Sequence, residues 1–137
     1  MTDQSAFTRT ITELDHIRIY NMLQRQGLMQ RVPALADLID SARHVPPQKI
    51  AADVVTMLTR VRIADAAGSN VRTVTLCYPA DADAARGDIS VLSPLGTALL
   101  GLRAGESAAW SGPDGKAATI TVQAIEFQPE ANGDYTD

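Results

Sequence analysis

Residues 89–106 decide the fold, and they read ISVLSPLGTALLGLRAGE. The first four residues are typical of a short strand, and Ser93 follows with a hydroxyl that can cap a helix. Pro94 suits the first helical position, because that position needs no amide donor. Apolar residues recur at helical spacing from Leu95 to Leu102, and glycines then punctuate the exit. The stretch predicts a strand followed by one or two helical turns, with packing chemistry and no nucleophile.

Strand-like alternation occupies the rest of the chain after its two consecutive prolines. Apolar residues alternate with polar or small residues in three runs, which begin near Val61, Val74 and Ile120. Turn-forming residues separate these runs. We predict four or five antiparallel strands and one short helix, an α+β domain over residues 48–137. The polar residues from Pro129 onward predict a loosely held tail.

Residues 1–47 have helical spacing instead. Apolar residues recur every three or four positions in two runs, residues 14–23 and 28–42. Thr12 or Asp15 can cap the first helix, and Pro33 fits only the first turn of the second. We therefore predict a short antiparallel helical hairpin, which needs the following domain for support.

Composition sets the broad class of the protein. The chain has 137 residues, of which 45% are hydrophobic, and its net charge is −4. This charge argues against sequence-specific or autonomous binding of nucleic acid, whose phosphates require a basic face. A single cysteine excludes an internal disulfide and fits a reducing compartment. Without a signal peptide or a membrane-spanning apolar run, we expect a cytoplasmic protein with no membrane contact.

Acidic residues are the first candidates for chemistry. Asp81, Asp83 and Asp88 form an acidic loop, which could bind a divalent cation only with further ligands from other segments. A solvated loop is the favoured interpretation. Asp37 and Asp40 share one face of the second predicted helix. Paired carboxylates could serve acid/base or metal chemistry, but on such a helix they more often lie on the solvent-exposed side.

The remaining candidates are single residues. His16 and His44 fall in different predicted helices and have no partner at ligand spacing. Cys77 alternates within a strand and is interpreted as a small core residue. Trp110, the only tryptophan, could belong to the core or line a cleft. We expect no catalytic residue, no metal site and no cofactor.

The sequence of residues 89–106 resembles the I-S-x-x-S-P-x-G-x-A-L-L-G-x-x-x-G-D/E signature of bacterial Gre-type transcript cleavage factors. Residues 78–83 are similar to the loop of that family that ends in E-A-D, residues 112–115 to its proline-glycine hairpin, and residues 120–127 to its final strand. The resemblance covers residues 50–128. It implies the fold of the FK506-binding prolyl isomerases.

A closer resemblance, over the whole chain, is to the Rnk family of regulators of nucleoside diphosphate kinase. Residues 53–57, 71–80 and 96–103 carry it, together with residues 128–135, which read QPEANGDY. This resemblance implies a small helical hairpin ahead of a barrel-like domain.

The chain departs from the cleavage factors at the predicted hairpin tip. In those factors, a long coiled coil carries an acidic pair that helps to hold a catalytic magnesium ion inside the polymerase. Here residues 25–31 read RQGLMQR, without a carboxylate. A helix from residue 13 to 26 spans only about 20 Å. The catalytic role of the family therefore does not carry over.

The resemblance thus implies a non-catalytic protein that docks at the secondary channel rim of RNA polymerase and competes with Gre-type factors. It assigns partner binding to Asp81, Asp83, Ser90, Ser93 and Pro94. An acidic loop facing a basic rim would mainly steer association and set the register.

Two alternatives remain open. The parent fold could retain prolyl isomerase or chaperone activity, for which Tyr78, Trp110 and Phe127 are the only aromatic residues between residues 50 and 128. The family name could also be literal, which would make the protein a modulator of nucleoside diphosphate kinase levels. A peptide isomerisation assay and a pull-down from cell extract separate these possibilities.

Overall fold

A computed structural model describes residues 9–112 and 114–134. The helices of these residues are α1 (Glu13–Arg25), α2 (Pro33–Ser41) and α3 (Pro94–Leu99). The strands are β1 (Thr10–Thr12), β2 (Arg43–Val45), β3 (Arg60–Asp65), β4 (Arg72–Cys77), β5 (Asp88–Ser90), β6 (Ser107–Ser111) and β7 (Ala117–Phe127). Short 3-10 turns lie at Pro47–Lys49, Pro79–Asp81, Ala84–Arg86 and Glu130–Asn132.

The two predicted N-terminal helices are present, but the second is shorter than predicted. Thr12 caps α1, since its hydroxyl oxygen accepts a 2.9 Å hydrogen bond from the amide of Asp15. Helix α2 begins at Pro33 rather than near residue 28. Proline lacks an amide hydrogen and clashes with the preceding turn, so it can only open this helix. Residues 26–32 form the connection between α1 and α2 instead.

A two-stranded parallel sheet flanks these helices, and the sequence pattern did not predict it. Strands β1 and β2 pair with Ile11 opposite His44. The amide of Arg43 also donates a 2.8 Å hydrogen bond to the carbonyl of Arg9. The prediction that His44 lies in a helix is therefore wrong, because α2 ends at Ser41 and the chain then extends along β1.

The second sheet has five strands in the order β5-β4-β3-β7-β6. Three neighbouring pairs are antiparallel, as predicted, but β4 and β5 are parallel. The all-antiparallel prediction fails at this edge because residues 78–87 do not form a tight hairpin. They contain two 3-10 turns and carry the chain back, so that β5 enters in the direction of β4. Helix α3 follows β5 and contacts β5, β6 and β7.

One hydrophobic cluster contains residues from both sides of the predicted domain boundary at residue 47. It includes Ile19 and Leu35 from the helices and Met57 and Leu99 from the sheet domain, all of them fully buried or nearly so. Polar contacts cross the same boundary: the buried carboxylate of Asp15 accepts a 3.1 Å hydrogen bond from the amide of Met57. The helical segment therefore packs on the sheet domain, while the division into 1–47 and 48–137 stays a prediction.

The segment after β7 is attached to the domain, so the prediction of a loose tail is wrong for Pro129 and Glu130, which are buried. Just before them, the buried Gln128 donates 2.8 Å hydrogen bonds from Nε2 to the carbonyls of Ala51 and Val54. Residues 131–134 are exposed, and residues 135–137 lie outside the described residues.

Candidate functional site

The turn between β5 and α3 is held by the hydroxyls of the predicted site. Ser93 Oγ accepts a 3.0 Å hydrogen bond from the amide of Gly96 and donates a 2.7 Å hydrogen bond to the carbonyl of Ser90. Ser90 Oγ accepts a 3.0 Å hydrogen bond from the amide of Leu92. The predicted helix cap at Ser93 is confirmed. Both serine side chains therefore stabilise the backbone of this turn through hydrogen bonds inside it.

Gly96 lets this turn close. A Cβ at this position would overlap the carbonyl oxygen of Ser90, which belongs to the backbone and has little room to move. The glycine in the signature is therefore a packing requirement, because only a residue without a side chain allows α3 to lie against the end of β5.

A groove of about 580 Å³ opens beside this turn, and we call it the signature groove. Ser90, Ser93 and Pro94, three of the five predicted site residues, lie along it. Its further lining residues are Arg72, Ala82, Ala84, Asp88, Ile89, Leu95, Trp110, Ser111 and Gly112. Pro94 is exposed, so its ring is available for contact with a partner.

The other two predicted residues, Asp81 and Asp83, are exposed on the neighbouring loop and do not line the groove. Backbone hydrogen bonds fix this loop, since the amides of Asp83 and Asp88 each donate to the carbonyl of the other at 2.9 and 3.0 Å. Within residues 9–112 and 114–134, no three His, Cys, Asp or Glu side chains are grouped to hold a metal ion.

A second groove of about 560 Å³, here called the helix groove, adjoins the first. It lies between the start of α2, helix α3 and strand β6, and it shares Pro94, Trp110 and Ser111 with the signature groove. Sequence reasoning missed this groove. The one signal was Trp110, which is half-buried and lines both grooves.

Arg9 supports the floor of the helix groove. Its Nη1 donates hydrogen bonds to the carbonyls of Ala98 at 3.0 Å and Leu100 at 2.7 Å, at the end of α3. Burial lowers the pKa of Arg9 and the charge of Glu106 opposes that shift, but a guanidinium keeps its proton at neutral pH. Arg9 thus closes the carbonyl end of α3 with a positive charge.

The two histidines meet in the fold although they are distant in sequence. The rings of His16 and His44 are stacked with their centroids 4.1 Å apart, and His44 Nε2 lies 2.7 Å from the carbonyl oxygen of Ile39. His16 also lines a cavity of about 350 Å³ together with Asp37 and Asp40. Burial and the neighbouring His44 lower the pKa of His16, while Asp40 acts in the opposite direction.

Cys77 is buried within the sheet, whereas two of the aromatic residues line grooves or cavities. Cys77 is buried, and its thiol donates a 3.5 Å hydrogen bond to the carbonyl of Ile89. Burial raises the pKa of this thiol, and Asp88 and Asp81 raise it further, so the reactive thiolate is disfavoured. Trp110 lines the two grooves, whereas Phe127 lines a separate cavity of about 240 Å³.

Comparison with known proteins agrees with the signature and its fold. Residues 50–127 match the family model of the GreA/GreB transcription elongation factors, C-terminal domain, which is more than half of the chain. The chain belongs to the GreA/GreB family. The "Regulator of nucleoside diphosphate kinase" of Escherichia coli strain K12 is 39% identical over 130 residues, which cover 93% of this chain and 96% of that protein. The predicted resemblance to the Rnk group is thereby confirmed.

Two further relatives are a GreA factor, which matches over part of its length, and a solved GreA/GreB structure. The transcription elongation factor GreA of Amoebophilus asiaticus is 36% identical over 89 residues, or 65% of this chain and 57% of that protein. Among solved structures, a GreA/GreB factor from Nitrosomonas europaea superposes with a TM-score of 0.71 at 31% identity. It covers 88% of this chain and is itself covered completely. The similarity to FK506-binding proteins stays a prediction.

Among the described residues, none of the helices has the length and apolar character that crossing a bilayer requires.

Proposed function

We propose that this protein is a non-catalytic transcription regulator that binds RNA polymerase at the rim of the secondary channel and competes there with Gre-type factors. The observation that carries the proposal is the signature at residues 89–106. It lies within the residues that match the GreA/GreB family model, and it contributes Pro94, which is exposed, and several other residues to the signature groove. Because the hydroxyls of Ser90 and Ser93 are satisfied within the turn, this surface is formed before a partner arrives.

The five predicted residues then divide into three roles. Ser90 and Ser93 position the turn, and Pro94 offers an apolar contact at the edge of the groove. Asp81 and Asp83 are exposed beside the groove, where two carboxylates would attract a basic surface and set its register. Such charges act chiefly on the association rate, since they remain in water until the complex forms.

The helical segment supplies the competing element. Helix α1 has 13 residues, which corresponds to about 20 Å. Arg25 and Arg31 are exposed at either end of the connection to α2, and residues 25–31 contain no carboxylate. A short element with a basic end would occupy the mouth of the channel without supplying a ligand for magnesium. In this proposal the protein acts in the cytoplasm and needs no cofactor.

The name of the Escherichia coli relative points to a second candidate, the control of nucleoside diphosphate kinase levels. We propose that any such effect arises through transcription. It predicts that deletion of the gene changes the kinase messenger RNA, whereas the purified protein leaves the activity of the purified kinase unchanged.

The primary test measures binding of the purified chain to core RNA polymerase, alone and in competition with a Gre factor. We expect saturable binding that the Gre factor displaces. The double variant Asp81→Lys with Asp83→Lys should associate more slowly, most clearly at low salt. The matched control is Asp114→Lys with Glu126→Lys, which makes the same charge change on two exposed carboxylates outside the helical segment that do not line the signature groove. Unchanged affinity of the loop variant at low salt would remove the acidic loop from the proposal.

A further inference from the structure

We propose that the helix groove is the second half of the docking surface and accepts an acidic, apolar segment of the polymerase bound at the signature groove. In this arrangement Arg31 contacts a carboxylate of the partner, and Trp110 packs against its apolar side chains. The proposal rests on the proposed function, and it names the chemistry of the partner surface that this function requires.

Continuity between the two grooves is the first support. Pro94, Trp110 and Ser111 line both, so the two grooves adjoin at these residues. A partner seated in the signature groove therefore reaches the edge of the helix groove. Tryptophan at the centre of a surface is also the residue type that most often anchors a protein interface.

The charge of the helix groove is the second support. Its charged lining residues are Arg9 and Arg31, both positive. The guanidinium of Arg9 is engaged with two carbonyls of α3, whereas Arg31 is exposed and forms no ion pair within the described part of the chain. Helix α2 also begins at the groove, where its amide ends add positive potential.

The distribution of acids on α2 keeps the groove positive. Leu35 and Leu38 face the helix groove, whereas Asp37 and Asp40 line the cavity that contains His16. The positive charge of the groove is therefore a local feature of a chain whose net charge is −4. The two carboxylates of α2 lie on the other side of that helix. This pattern complements a partner that carries negative charge at this point.

The lining favours a protein segment over nucleic acid. Beside Arg9 and Arg31, the groove is made largely of apolar side chains, among them Leu35, Leu92 and Ala98. Phosphate backbones are bound by several cations along a track, because each neutralised phosphate needs its own partner. One exposed arginine beside a leucine-rich floor suits a glutamate or aspartate within an apolar peptide segment instead.

The first experiment compares two charge reversals on exposed arginines. Arg31→Glu changes the helix groove, and Arg62→Glu makes the same change on a residue of β3 that lines neither groove and lies outside the helical segment. We expect Arg31→Glu to weaken binding to core RNA polymerase by about tenfold at low ionic strength, and Arg62→Glu by less than about twofold. Circular dichroism melts of both variants verify that they fold.

The second experiment uses the emission of Trp110, which is the only tryptophan of the chain and therefore reports on both grooves. The probes are a tryptophan-free peptide rich in Glu and Leu, its Lys-and-Leu counterpart, and an oligouridylate. We expect the acidic peptide alone to change the emission, and Arg31→Glu or high salt to abolish the change.

The outcomes separate this inference from the proposed function. Suppose that the wild-type protein binds the polymerase and that the double variant at Asp81 and Asp83 binds it less tightly. If the Arg31→Glu variant then binds like wild type, the helix groove is not part of the docking surface. If wild type does not bind the polymerase, the proposed function fails. The peptide titration then decides by itself whether the helix groove binds an acidic, apolar segment. A response to oligouridylate without a response to the acidic peptide would overturn the assignment in favour of nucleic acid.

Discussion

The hydroxyl of Thr56 donates a 2.7 Å hydrogen bond to Glu130 Oε1, across 74 residues of sequence. Thr59 completes this buried group, because its Oγ1 lies 2.8 Å from Thr56 Oγ1 and accepts a 2.9 Å hydrogen bond from the Thr56 amide. Since the Thr56 hydroxyl proton is given to Glu130, the Thr59 hydroxyl must donate to Thr56. A buried carboxylate needs such donors, so this group fixes the segment directly after β7 to the segment before β3.

Glu130→Ala should therefore destabilise the fold by about 1–3 kcal/mol, because the Thr56 hydroxyl loses its buried acceptor. Glu130→Gln should cost less, since the amide oxygen can still accept that hydrogen bond. The measurement is urea denaturation followed by circular dichroism.

Glu126→Ala is the matched control for this measurement. Glu126 forms a 3.6 Å ion pair with Arg60 at the surface, which is worth about 0–1 kcal/mol. Equal decreases in the free energy of unfolding for Glu130→Ala and Glu126→Ala would contradict a structural role of the buried carboxylate.

Gly96→Ala should destabilise the protein by about 1–3 kcal/mol or more, because the new methyl group overlaps the backbone of Ser90. The turn must open to accept it, so binding to core RNA polymerase should weaken as well. Gly112→Ala is the control: its Cβ would meet its nearest atoms at 3.4 and 3.6 Å, which is ordinary contact. The measurement is the melting temperature of both variants. A melting temperature of Gly96→Ala equal to that of wild type would contradict the packing requirement.

The stacked histidines predict a dependence of stability on pH. The pKa of His16 is lower in the folded state than its ordinary value of 6.5, so the unfolded chain binds the proton first as the pH falls. The free energy of unfolding should therefore decrease below about pH 6.5 and level off once the folded state is protonated too. His16→Gln should reduce this decrease, because it removes both the titrating ring and its stacking on His44.

The measurement compares melting temperatures of wild type and His16→Gln between pH 7.5 and 5, above the range in which most carboxylates titrate. The charged groups at this site other than the histidines are Asp37 and Asp40, which line the same cavity. Identical pH profiles for the two proteins would mean that His16 does not contribute.

Local chemistry explains which parts of the fold could be predicted from sequence. The cap at Ser93 and the helix start at Pro94 depend only on neighbours a few residues away, and both are present as predicted. Gly96 sits in the same short segment, but the reason for it appears only when β5 and α3 are in contact.

The missed features depend on contacts between distant segments. Strands β1 and β2 have three residues each, too few to show an alternating pattern, and they pair only because the helices between them bring them together. Gln128 and Glu130 are polar, so a sequence places them at the surface; their partners lie 74 or more residues away. The helix groove likewise combines residues from near Arg9, α2, α3 and β6.

The last prediction concerns catalysis: the protein should not stimulate transcript cleavage in a backtracked polymerase complex, even at saturating concentration. A second magnesium ion must be held by carboxylates, and Arg25 and Arg31 at the exposed connection would repel it. The acids of α2, Asp37 and Asp40, line a cavity against α1 rather than lying on the connection. Asp37 and Asp40 lie five and eight residues beyond the last residue of the connection, about 8 and 12 Å along the helix axis, and residues 26–32 themselves contain no carboxylate.

The measurement is the rate of RNA shortening in stalled complexes, with a Gre factor as the positive control and polymerase alone as the baseline. We expect the baseline rate with this protein, and a decrease in Gre-stimulated cleavage when both factors are present, since they would compete for one site. Cleavage well above the baseline that is lost in Asp37→Asn or Asp40→Asn would identify these carboxylates as magnesium ligands. It would make the protein a cleavage factor in its own right.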